Sequence, residues 1–128
     1  MDQDYEDIGK KIVNAAFQVH KELGPGLLES VYEICLEKEL KSQNMLVDKQ
    51  VHIPVVYKGE ELNKEFVIDI LVEKKVAIEL KAVESLLRVH EVQLVTYLRL
   101  AGLKLGYLIN FNVPLIKLGI KRKINGYF

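Results

Sequence analysis

The sequence predicts a fold of the α/β (α+β) kind: a mixed sheet of four to five strands between layers of helices. Three observations predict it. Two amphipathic helical segments open the chain, three strand-like runs separated by short polar turns follow, and a third helical segment then leads into an entirely apolar run. A helix between strands three and four implies a right-handed crossover and a parallel pair. The element order is α-α-β-β-β-α-β-β, which folds as three layers, α/β/α.

The first helix is expected over Asp4 to Leu23, where Ile8, Ile12, Ala15, Ala16, Val19 and Leu23 recur at spacings of three and four. Gly24-Pro25-Gly26 stops it. The second helix is expected from about Gly26 to Ser42, with Leu27, Leu28, Val31, Ile34 and Cys35 as its main buried face and Glu29 off the centre of that face, beside Tyr32. A first strand is expected over Met45 to Tyr57, where Val51, Ile53 and Val55 alternate with polar residues and Pro54 marks an edge or a bulge.

Lys58-Gly59-Glu60-Glu61 reads as a turn. Strands over Leu62–Val72 and Lys75–Ala82 complete an antiparallel meander, folding back at Glu73-Lys74-Lys75. The third helix is expected over Ser85 to Leu100, with Leu87, Leu94, Val95 and Leu98 as its apolar residues and Gly102 as its stop. Gln93 and Tyr97 share a face of it. Leu105 to Phe111 is apolar enough for a strand covered on both sides. After Asn112-Val113-Pro114, Leu115 to Lys121 is expected as an edge strand.

Composition bounds the function. The length, 128 residues, fits a single domain over 1–128 with a real core. Hydrophobic residues make up 49%, and 18 basic residues balance 18 acidic ones, so no bulk charge steers the chain toward nucleic acid. No secretory segment is expected at the acidic start, and no apolar run is long enough to span a bilayer, so a cytoplasmic location is expected. A single cysteine, Cys35, excludes an intrachain disulfide and a cysteine-cluster metal site. No glycine-rich phosphate loop, nucleophile elbow or HExxH pattern is present.

The chemistry concentrates in Phe66 to Lys81, FVIDILVEKKVAIELK. Asp69 lies on one strand of this hairpin and Glu79 and Lys81 on the other, among apolar residues. An unpaired charge is costly to desolvate. Residues two apart in a strand share a side, so Glu79 and Lys81 project together, and the turn brings Asp69 beside them. Hard divalent cations take oxygen ligands, and Mg²⁺ usually takes one or two carboxylates and keeps several waters. A lysine there can orient an attacking water, and the metal stabilises charge on a phosphodiester. The alternative, a buried salt bridge between Lys81 and one acid, explains one pair and leaves the third charge without a reason.

These residues resemble a known family. Asp69 ten positions before Glu79-Leu80-Lys81, with Glu29 on a preceding helix, is similar to the PD-(D/E)XK nuclease superfamily, and the element order resembles its restriction-endonuclease-like core. Gly26-Leu27-Leu28-Glu29-Ser30-Val31-Tyr32 reads as GxxExxY and resembles the small bacterial and archaeal family named for that signature. Gln93-Leu94-Val95-Thr96-Tyr97 resembles the QxxxY motif of exonuclease-type members. The proline of the superfamily name is absent, and Ile68 stands in its place.

The resemblance implies roles. Asp69, Glu79 and the backbone carbonyl of Leu80 are expected to hold Mg²⁺ or Mn²⁺, with Glu29 and His20 as further candidate ligands. Lys81 is expected beside the attacking water, Glu29 at the site from the second helix, and Tyr32, Gln93 and Tyr97 as supporting or substrate-binding groups. The implied substrate is DNA ahead of RNA, and a homodimer or a protein partner is compatible. A nuclease fold kept as a silent binding or scaffolding module, or a subunit active only with a partner, is the other reading. His52 and His90 read as surface groups. Glu29 also reads as a solvated helix acid, and Gln93 and Tyr97 as groups at the rim of the core. Tyr127 and Phe128 read as a docking or fraying end.

Overall fold

A computed structural model describes residues 3–126; Tyr127 and Phe128 lie outside the described residues. The elements are α1 (Gln3–Leu23), α2 (Glu29–Ser42), β1 (Val47–Tyr57), β2 (Glu60–Val72), β3 (Val76–Lys81), α3 (Arg88–Ala101), β4 (Leu105–Asn110), a 3₁₀ turn (Ile116–Gly119) and β5 (Ile120–Ile124). The sheet order is β1-β2-β3-β4-β5. The first three strands form an antiparallel meander, β3 and β4 are parallel across α3, and β5 returns antiparallel to β4. This is an α+β fold of the restriction-endonuclease-like kind.

Each layer follows from its residue pattern. The Ile8, Ile12, Ala15, Ala16 and Val19 stripe of α1 is buried, and it joins α2 over Ile70, Val72, Val76, Ile78 and Leu80 of the sheet. On the opposite face Leu94 and Leu98 of α3 pack with Ala77, Leu108, Phe66 and Ile68. Strand β4 is buried along its whole length because both layers cover it. Gly106 permits the close approach of α3, since a Cβ there would meet Leu94 and Leu98 side-chain carbons at 3.1 Å. Pro54 sits on the outermost strand, next to a register shift between Pro54 and Val56. Glu73 and Lys74 both take left-handed backbone (φ 53° and 54°), as a tight turn between right-twisted strands requires.

Three expectations are corrected. Helix α2 starts at Glu29 rather than near Gly26, and its buried residues are Tyr32, Leu36 and Leu40. Leu27, Leu28 and Ile34 are exposed, Leu28 to 73%. Gly24 and Gly26 adopt left-handed φ, so no helical turn forms before Glu29, and insertion of Tyr32 sets the helical phase. Helix α3 starts at Arg88, three residues later than expected, and Leu87 is 57% exposed. Leu87 is the extended N-cap, and the His90 ring accepts its N–H at 3.0 Å. Residues 115–119 do not form strand. Ile116 is buried in the 3₁₀ turn, and Gly119 packs against the Asn110 carbonyl where a Cβ would clash, so β5 begins only at Ile120.

Candidate active site

The sheet opens around Asp69. Pairing between β2 and β3 runs from Val72↔Val76 to Ile70↔Ile78 and goes no further. Pairing between β1 and β2 passes from Lys49↔Ile70 to Val51↔Ile68, so Gln50 and Asp69 stand outside the ladder. Gln50 has φ 49°, a conformation that costs a side-chain-bearing residue about 1–2 kcal/mol. Backbone groups left by the gap are taken by carboxylates. Glu79 Oε1 accepts the Asp69 N–H at 3.2 Å, and Asp69 Oδ2 accepts the Leu80 N–H at 2.8 Å. A strand residue presents its N–H and C=O to the same edge, so the Leu80 carbonyl is directed to the same gap.

The electrostatics are those of crowded acids. Glu79 is only 7% exposed. Burial, with the nearby Asp69 charge adding, pushes its carboxyl up to about 8, against a lesser lowering by the Asp69 N–H and Lys81. Glu29 is also raised, first by partial burial and then by Asp69, with Lys81 opposing. Lys81 is half-buried and forms no ion pair with any described residue. The salt-bridge alternative for this hairpin is therefore not what the side chains form.

Glu29 reaches the site because of what holds the start of α2. The buried Tyr32 ring stacks on Phe111 at 4.5 Å between centroids. Its hydroxyl donates to the Gly24 carbonyl at 2.6 Å and accepts the Leu27 N–H at 3.1 Å. This clasp closes the loop before α2 and sets Glu29 at the mouth of a cleft of about 340 Å³, lined also by Ser30, Glu33, Gln50 and Asp69. Gln50 Nε2 donates to Glu33 Oε1 at 2.7 Å across that cleft.

The sequence model of the PD-(D/E)XK nuclease superfamily matches residues 6–123. The chain belongs to this superfamily. No curated protein and no solved structure matches it significantly.

Within this PD-(D/E)XK fold the remaining expected residues take distinct places. Tyr97 stacks on Phe66 at 4.3 Å, and burial followed by the charges of Glu79 and Asp69 raises its phenol. Gln93, one turn earlier, is exposed. Tyr32 is fully buried, so it supports the site from behind and cannot touch a substrate. His20 Nε2 donates to the Val113 carbonyl at 2.8 Å. Glu33 and Gln50 line the cleft and were not anticipated. Glu33 carries a weak signal, one helical turn after Glu29. Gln50 carries none, since nothing in its residue type announces a left-handed backbone. Larger grooves lie between α1 and β5 and between α3 and β5, and neither is lined by Glu29, Asp69 or Glu79.

Members of this superfamily typically use divalent metals. Among the described residues no three acidic, histidine or cysteine side chains are grouped so as to hold a metal by themselves. The donor set still fits Mg²⁺ or Mn²⁺. Asp69 and Glu79 offer carboxylate oxygens, Leu80 offers a carbonyl, and such ions keep several waters. Two like charges in a buried gap also favour a cation between them.

Proposed function

We propose that this chain is a Mg²⁺- or Mn²⁺-dependent nuclease that hydrolyses phosphodiester bonds in DNA, with RNA the less favoured substrate. The observation that carries the reading is the meeting of Asp69 and Glu79 where both strand ladders open, with Lys81 near them and in no ion pair with a described residue. Asp69, Glu79 and the Leu80 carbonyl would hold the ion. When bound, it stabilises charge on the phosphoryl group and acidifies a water.

The side chains supply the rest. Lys81 Nζ, in no ion pair with a described carboxylate, hydrogen-bonds the attacking water and steadies it in line with phosphorus. Glu29 contacts the same water from α2. The Tyr97 phenol, held protonated, donates to a non-bridging phosphate oxygen. Gln93, exposed on the same side of α3, reaches the strand. Cys35 as the single cysteine, half-buried, fits a reducing compartment such as the cytoplasm. Among the described residues no helix is long and apolar enough to cross a membrane.

The test is metal-dependent cleavage of DNA by wild type against Asp69→Ala, together with Mn²⁺ titration of both proteins. Cleavage and Mn²⁺ binding lost in the variant support the reading. Mn²⁺ binding through Asp69 without cleavage points to a subunit that needs a partner, and neither points to a silent binding module.

A further inference from the structure

The cleft itself repels a nucleic-acid strand. Glu29, Glu33 and Asp69 line it and Glu79 stands behind them, while the whole chain is neutral with 18 basic and 18 acidic residues. Attraction for a polyanion must then come from a local group of cations.

One such group stands where α3 meets β5. Arg88 and Arg99 lie eleven residues apart on one flank of α3, a span of about 16 Å at 1.5 Å per residue. Lys121 and Lys123 of β5 stand opposite Leu108 and Gly106 of β4, on the face that α3 covers. Lys123 pairs with Glu91 at 2.6 Å. That carboxyl is held below its ordinary value by Lys123 first, with Lys121 and Arg88 adding. Arg88, Arg99 and Lys121 form no ion pair with any described residue. Three cations, Lys123, Lys121 and Arg88, thus act on one carboxylate. Arg88, Arg99 and Lys123 rim a groove of about 590 Å³ lined also by Val92, Val95 and Thr96, and Lys121 stands beside it on β5.

The sheet register ties this face to the acids. Glu79 stands opposite Leu108, and Leu108 opposite Lys121, which makes one row across β3, β4 and β5. Adjacent strands are about 4.8 Å apart, so Lys121 is roughly 10 Å from Glu79 along the sheet. Nucleotides of one strand rise about 3.4 Å each along the duplex axis, so a span of that size taken along the axis corresponds to about three nucleotides.

We propose that the α3–β5 face, through Arg88, Arg99, Lys121 and Lys123, carries the phosphodiester backbone of the DNA strand on one side of the bond to be cut. This rests on the nuclease reading. The cations contact backbone and not base edges, so they supply affinity without sequence preference.

The experiment is fluorescence anisotropy of a fluorescein-labelled duplex oligodeoxynucleotide in EDTA, over a salt series, for the whole chain. Wild type is compared with R88A/K121A, R88E/K121E and the remote control K38A, with DNA cleavage measured in parallel. Expected is a salt slope lower by about one for each phosphate contact removed, a larger loss for charge reversal, and no change for K38A. Absent binding by wild type, or variants that bind with the slope of K38A, overturns the proposal and gives the cations to another acidic surface. Wild type that binds through these residues and cuts nothing refutes the nuclease reading and leaves the DNA-binding face standing.

Discussion

Asp69 and Glu79 face each other across the point where β2 and β3 stop pairing, and Glu79 Oε1 accepts the Asp69 N–H at 3.2 Å. Asp69 in turn accepts the N–H of Leu80, the residue after Glu79. Side chains thus take over two hydrogen bonds that a continuous ladder would have made. Every buried side-chain polar atom among the described residues has a partner, so the gap is a satisfied arrangement. What it leaves unbalanced is charge.

That imbalance gives a pH signature. The Glu79 carboxyl rises from 4.5 to about 8 in the fold. Between those values the folded chain keeps a proton that the unfolded chain has released. The contribution of Glu79 to the stability of metal-free protein is therefore full below about pH 4.5 and is lost as pH rises toward 8. Glu79→Gln fixes the neutral form and should flatten the decline, and Mn²⁺ should offset it in wild type. Thermal unfolding in EDTA across this window measures it. A wild-type profile no steeper than that of Glu79→Gln would refute the assignment.

Lys81→Ala should separate chemistry from folding. Lys81 forms no ion pair with a described residue, so its removal should change stability by less than about 1 kcal/mol and leave Mn²⁺ binding intact. Single-turnover cleavage should fall by about 10²–10⁴-fold, the range for losing a positioned proton-handling group. A variant that cuts like wild type removes Lys81 from the mechanism.

Tyr32→Phe keeps the stack on Phe111 and loses both hydroxyl bonds to the loop before α2. A cost of about 1–3 kcal/mol in chemical unfolding is expected, because the Gly24 carbonyl and the Leu27 N–H lose their partner. Cleavage should fall as well, through displacement of Glu29. Tyr32→Ala should cost more, about 3–5 kcal/mol, by emptying a core position.

Asn110 makes a similar case on the other side. Its Oδ1 accepts the N–H groups of Val83 and Asn112 at 3.0 and 3.2 Å, and its Nδ2 donates to the Val83 carbonyl at 2.9 Å. It thereby fixes the chain just past Lys81, whose β4 neighbour it is. Asn110→Ala should destabilise by about 2–4 kcal/mol, measured by denaturant midpoint, since it strands buried backbone groups. A shift under about 0.5 kcal/mol would contradict this role.

Much of this arrangement is legible in the sequence, for physical reasons. The stripe of α1 and the all-apolar β4 are set by burial period alone, and the crossover fixes the parallel pair. Asp69, Glu79 and Lys81 are conspicuous because ionisable groups in apolar strands need a cause. The phase of α2 was not legible. Its apolar residues Leu28 and Ile34 compete with Tyr32 for the core, and two left-handed glycines and a hydroxyl clasp decide for Tyr32. Gln50 and the ladder gap were invisible because they arise from strand pairing. The late start of β5 was missed because Gly119 is needed for its contact with Asn110, a tertiary demand.

The most direct measurement is Mn²⁺-dependent cleavage of single-stranded and duplex DNA by wild type, Asp69→Ala and Glu79→Ala. The account predicts cleavage by wild type that EDTA stops, and none by either variant although both remain folded by circular dichroism. Cleavage that persists in the folded variants would contradict the site at Asp69 and Glu79.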